Sequence, residues 1–207
     1  MAQVLKENLR RDIIEAAKEE FLVYGYKDAS MRRIAAKAHM TVGNLYRYFE
    51  SKEAINMQIV VPTLEKINKV LKQLTTNKIS FETRVFNVSL STGEIREKLD
   101  VMSEQLVDIY VESPQEFKIL MLHSRLNEKL TDWFSGIIKT LIMQNYPIAM
   151  YDKECDVLSR CFAVSIFDGF RELFNREDLN ADELKQLSKI YFCTLVYILD
   201  TDIRRFL

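Results

Sequence analysis

A chain of 207 residues, 48% hydrophobic and 29% charged with only five Gly and three Pro, can bury a sizeable core and favours helices over strands and turns. Its net charge of −1 excludes a surface that is basic all over, and no uncharged apolar run reaches the roughly 18 residues a membrane span needs. Three cysteines without CxxC spacing (Cys155, Cys161, Cys193), two distant histidines (His39, His123) and no glycine-rich phosphate loop leave an enzyme, a metal centre or a cofactor without support.

The N-terminus carries Lys6, Glu7, Arg10, Arg11 and Asp12 with no apolar run behind them, so no secretory signal is expected and the reducing cytoplasm is the expected compartment. Apolar residues at Leu5, Leu9, Ile13, Ala16, Ala17, Phe21 and Tyr24 recur at steps of three and four, predicting an amphipathic helix closed by Gly25. Ser30 then offers an N-cap to a short helix, 31–38. After His39-Met40, Thr41 caps another that runs through Tyr48, and Ser51 caps a third, long helix from Lys52 to about Leu74. Short capped helices separated by brief turns form the helix-turn-helix pattern. Pro62 is expected to kink the long helix.

Further along, residues 75–93 alternate apolar with polar and predict a short hairpin or an extended loop. Helical periodicity returns at about 94–112, 115–127, 129–145, 152–175 and 181–206. The expected fold is therefore all-α, with about nine helices: a helix-turn-helix domain over 1–55 and a larger helical domain over 56–207.

Charge is concentrated where the short helices lie. Lys27, Arg32, Arg33, Lys37, Arg47 and Lys52 face only Asp28 and Glu50, a local net of +4 on an otherwise acidic chain. In the segment from Thr41 to Lys52, Leu45 and Phe49 share one side and serve as anchors. Val42, Gly43, Tyr46 and Arg47 share the other, where packing gives no reason for tyrosines flanking an arginine. A helix entering the major groove reads base edges from its first turn while flanking hydroxyl and basic groups hold phosphates. Arg47 suits a guanine edge, Asn44 an adenine edge, Val42 a thymine methyl, and Gly43 allows close approach. Thr41, Tyr46, Tyr48, Lys52 and, at the preceding cap, Ser30 suit phosphate.

The run Thr41-Val42-Gly43-Asn44-Leu45-Tyr46-x-Tyr48-Phe49-x-Ser51-Lys52-Glu53, with Phe21, Gly25, Ile34 and Ala35 before it, resembles the signature of the tetracycline-repressor (TetR) family. The resemblance spans about residues 10–56. It implies a three-helix DNA-binding domain and a larger ligand-binding and dimerisation domain, a double-stranded operator as partner, and Arg32 as a further base-side contact. His39 stands where the family's turn usually holds glycine, which puts a positive φ there at some cost in strain.

In the larger domain two readings compete for each apolar group. Tyr110, Phe117, Met121, His123, Trp133, Phe134, Tyr146 and Phe167 are core residues or, together, the lining of an apolar effector pocket. Phe162, Ile166, Gly169, Phe170, Leu195 and Leu199 are core or, as the resemblance implies, the dimer interface. The function these readings support is a homodimeric repressor on a palindromic operator, released by a small apolar effector through a swing of the Pro62 helix. The alternative is an architectural or cell-division DNA-binding protein of the same fold with no effector.

Overall fold

The computed structural model describes residues 2–74, 92–122, 124–145 and 152–200, and all the regular structure among them is helical. In chain order the helices are α1 (Ala2–Asp28), α2 (Met31–Lys37), α3 (Val42–Tyr46), α4 (Lys52–Leu74), α5 (Thr92–Glu112), α6 (Pro114–Leu122), α7 (Ser124–Asn145), α8 (Asp152–Asn175) and α9 (Ala181–Asp200). The expected hairpin or loop at 75–93 falls almost wholly outside the described residues, as do His123 and Tyr146.

Glycine 25 interrupts the backbone of α1 at φ 71°, ψ 169°, a conformation essentially reserved for glycine. A last turn, reaching Asp28, follows it. Two of the three expected N-caps form as the sequence implies. Thr41 Oγ1 accepts from the Asn44 amide at 3.2 Å, and Ser51 Oγ accepts from the Ala54 amide at 3.0 Å. Ser30 has the extended cap conformation, but its hydroxyl makes no capping bond. The α9 start is a reciprocal capping box. Asn180 Oδ1 accepts from the amides of Asp182 and Glu183, and Glu183 Oε2 accepts from the Asn180 amide.

Two compact units emerge, each with its own core. The first holds residues 1–66 together with 113–124. Ile13, Ala17 and Phe21 of α1, Ile34 and Ala35 of α2, Leu45, Phe49 and Ile55 are all buried in it. So are Phe117 and Leu120 of α6, a helix that packs on α1 although about ninety residues of chain separate them.

The second unit holds 67–112 and 125–207, with α9 packed on α5 and α8. Its aromatic core chains Tyr110, Phe174, Phe170 and Phe192 through ring contacts of 4.3 to 5.5 Å between centroids. Gly169 is a notch in α8. A Cβ there would lie 2.2 Å from the Tyr191 hydroxyl, which donates to the carbonyls of Ser165 and Ile166, each at 3.1 Å. Small size at 169 thus admits a tyrosine of α9 from the same chain.

Candidate nucleic-acid interface

The helix-turn-helix is α2, a turn of four residues (38–41), and α3. At the end of α2 the His39 amide donates to the Ala36 carbonyl at 3.1 Å and the Met40 amide to the Ala35 carbonyl at 2.9 Å. These paired bonds define a left-handed helix terminus. His39 occupies its left-handed position at φ 53°, the one non-glycine residue with positive φ among those described. The strain expected from the sequence is therefore present, and the turn keeps its geometry.

Beyond this turn α3 is shorter than the sequence suggested, ending at Tyr46 rather than Tyr48. The amides of Arg47 and Tyr48 donate to the carbonyls three residues back, those of Asn44 and Leu45. The last turn is wound tight because Phe49 must return to the core and Ser51 must open α4.

Leu45 and Phe49 are buried, as anchors should be, whereas Thr41, Gly43, Tyr46 and Arg47 are exposed and Val42, Asn44 and Tyr48 half-buried. Arg32 is exposed on α2 and Ser30 half-buried at its cap. Base-side and phosphate-side candidates from the sequence thus share one segment of the first unit. At Gly43 the backbone has no positive φ, and a Cβ would meet nothing within 4 Å. Neither conformation nor packing inside the chain asks for glycine there.

Partners sort the cations. Glu20, buried in α1, accepts from Arg33 Nε at 2.5 Å and from the Ser30 amide at 3.1 Å. Its other oxygen is 3.9 Å from Lys37 Nζ, which also meets Glu19 at 3.4 Å. Arg33 stacks over Tyr24 at 4.2 Å and donates to the Asp28 carbonyl. Two of the six clustered cations therefore hold α2 onto α1. Lys27, Arg32 and Arg47 form no ion pair among the described residues.

Lys52 is engaged in another way. Its ammonium donates to the carbonyls of Lys27 (3.0 Å) and Ala29 (2.9 Å) and sits 4.8 Å from the Tyr26 ring centroid, while Tyr26 donates to Glu53. Lys52 and Glu53 thereby tie the start of α4 to the end of α1. Sequence reading missed Glu20, although an acid three and four residues after Ala17 and Ala16 lies on the apolar stripe of α1.

The pocket candidates divide. Phe117 and Met121 are buried in the first unit. Tyr110, Phe134 and Phe167 lie half-buried in the second, with Phe134 and Phe167 edge to face at 5.2 Å. The Trp133 side chain lies outside the described set. Of the interface candidates, Ile166 and Phe170 are buried within the second unit, Phe162 and Gly169 half-buried, and the side chains of Leu195 and Leu199 outside the described set. No group of three metal-ligating side chains occurs among the described residues, and no described helix is long and apolar enough to cross a membrane.

An exposed recognition segment capped by Thr41, following a tight left-handed turn and anchored by Leu45 and Phe49, defines the class: a helix-turn-helix module of the kind that reads DNA. Residues 13–56 match the family model described as bacterial regulatory proteins, tetR family. The HTH-type transcriptional regulator YdgC of Bacillus subtilis (strain 168) is 35% identical over 65 residues, 31% of this chain and 33% of that protein. That match spans only about a third of the relative's length.

Solved structures extend the likeness of fold. A TetR family regulator from Chloroflexus aurantiacus J-10-FL has a TM-score of 0.57 at 16% identity, covering 94% of this chain and 92% of its own. One from Bordetella parapertussis 12822 has 0.55 at 20%, covering 97% and 98%. The fatty acid degradation regulator FadR from Bacillus halodurans has 0.50 at 19%, covering 91% and 94%. Residues 13–56 thus carry the N-terminal domain of the tetR family of bacterial regulatory proteins, and the chain as a whole shares the fold of solved TetR family regulators.

Proposed function

We propose that this chain is a homodimeric transcription regulator that represses from a palindromic operator and releases it when a small, largely apolar effector binds the second unit. The observation that carries the DNA-binding part is Gly43. Glycine inside a helix costs about 1 kcal/mol relative to alanine. Here it sits exposed, unneeded by the fold, at the face that meets bases on this reading. Close approach of an outside surface is what gives it a use.

On this reading Val42, Gly43, Asn44, Arg47 and Arg32 face base edges, and Ser30, Thr41, Tyr46 and Tyr48 hold phosphates. The Ser30 hydroxyl makes no capping bond, and the Ser30 amide is taken by the Glu20 carboxylate. Lys52 acts first as a positioning residue. Two of its three donors are engaged by carbonyls, so its direct share in phosphate binding is through the third.

Dimerisation is supported by two exposed stripes. On α8 they are Val157, Cys161 and Val164, and on α9 Leu187, Ile190 and Tyr197, at helical spacing in both. These, more than the buried Ile166 and Phe170, offer surface to a second copy. Two copies present two α3 segments, which a palindrome with half-sites about one helical turn (roughly 34–36 Å) apart requires.

For the effector, Tyr110, Phe134 and Phe167 are the apolar lining we favour. The Bacillus halodurans relative in fold is a fatty acid degradation regulator, so acyl chains are the first probes to try. A signal would reach the DNA through α4, whose first part belongs to one unit and last part to the other.

Selecting duplexes from a random DNA pool with the purified chain tests the proposal. A palindromic consensus bound by a dimer supports it, and failure to enrich any sequence would overturn it. Many dispersed genomic sites with no thermal shift from any acyl or apolar probe would favour the effector-free architectural role.

A further inference from the structure

In the first unit, three cations that hold helices together are each paired with acids. Lys18 meets Glu15 and Glu116, Arg33 meets Glu20, and Lys37 meets Glu19 and Glu20. Arg10 on α1 is treated differently. Its guanidinium carbon lies 4.4 Å from the centroid of the Phe49 ring, and its Nε and one terminal nitrogen both donate to the neutral Gln58 Oε1, the former at 3.1 Å. Among the described residues it has no ion pair. The group is thus oriented by a ring and an amide, exposed, and electrically uncompensated.

Its place gives that charge a use. Phe49 follows Tyr48 directly, so packing on Phe49 holds an arginine from thirty-nine positions upstream beside the end of the recognition segment. Of the five donors of a guanidinium, two are held by Gln58 and three remain for a planar oxyanion. Lys6, also exposed, stands one turn earlier on the same face of α1.

We propose that Arg10 is a phosphate clamp, contacting the DNA backbone beside the bases that α3 reads and extending the footprint onto α1. The proposal rests on the DNA-binding reading above. Phosphate contacts fix register and carry no sequence information, whereas each one neutralised steepens the salt dependence of binding.

The test is equilibrium binding of the full chain to a mixed-sequence duplex over a series of salt concentrations. Parent, Arg10→Gln and Arg10→Lys are compared, with thermal unfolding of each recorded. Arg10→Gln should flatten the slope of log K against log salt by about 0.9 per protomer, and Arg10→Lys should restore it. Relative preference among base-substituted operator duplexes should not change. A salt-dependent parent whose slope Arg10→Gln leaves intact overturns the clamp and spares the DNA-binding reading. So does a flattened slope that lysine does not restore, because shape rather than charge is then at work. A parent that shows no salt-dependent binding overturns both.

Discussion

The ammonium of Lys18 on α1 lies 2.6 Å from the carboxylate of Glu116 on α6, joining two helices of the first unit across about a hundred residues of sequence. Burial works against charge on both groups, yet the hydrogen bond and the mutual attraction win. The carboxyl is held below its ordinary 4.5 and the ammonium above its ordinary 10.5. A carboxyl whose pKa falls on folding adds stability that is complete above its unfolded value and is lost as pH drops through the folded one. Glu116→Gln should therefore cost about 1–2 kcal/mol at neutral pH. The difference from the parent should shrink steadily as pH falls below about 4.5. Urea unfolding at a series of pH values checks it, and a pH-independent difference would mean the pair is not the cause.

Gly43 should separate folding from binding. With no Cβ clash inside the chain, Gly43→Ala should stabilise the protein by about 0.5–1 kcal/mol. The added methyl should stand between α3 and the groove, weakening operator binding by roughly tenfold or more, about 1.4 kcal/mol. A variant both more stable and equally tight on DNA would remove the reason given for glycine.

At His39, a left-handed φ of 53° is carried by a residue with a Cβ. Histidine tolerates that region at a cost of about 1–2 kcal/mol, part of which glycine returns as unfolded-state entropy. His39→Gly should raise stability by about 0.5–1 kcal/mol and leave the salt slope of DNA binding as it was. A lower melting temperature would show that the imidazole makes a contact the turn needs.

The notch at Gly169 predicts coupling with Tyr191. Gly169→Ala should cost about 1–3 kcal/mol by pushing the ring off α8 and breaking its bonds to the Ser165 and Ile166 carbonyls. In a Tyr191→Ala background the same change should become neutral or mildly stabilising, since alanine is the better helix former. A double-mutant cycle with no coupling energy would show that the two residues do not constrain one another.

Much of this was legible in the sequence because it is local. Helix starts at Thr41 and Ser51, the anchors Leu45 and Phe49, and the strained turn at His39 are fixed within a few residues by caps, periodicity and turn chemistry. What could not be read depends on distant partners. Lys52 looked like a free cation at a helix start until the carbonyls of Lys27 and Ala29 were found beneath it. Arg33 and Lys37 looked like part of a basic face, yet Glu20 and Glu19 claim them. Phe117 and Met121 are grouped with Tyr110 as core or pocket lining when read from the sequence, but α6 packs with α1 and falls in the other unit. The reason Gly169 is small stands on another helix, at Tyr191.

The placement of α6 also bears on how the molecule is made. Helix α6, with Phe117, Ile119, Leu120 and Met121 buried, packs on α1, and it is added to the nascent chain well after α1 to α4. While synthesis is under way, the N-terminal module exists with its apolar flank open, a state prone to wrong contacts until the later segment arrives. A DNA-reading module lifted from this protein for grafting onto another should accordingly carry a copy of Ser113 to Ser124, since a cut after residue 66 leaves its lid behind.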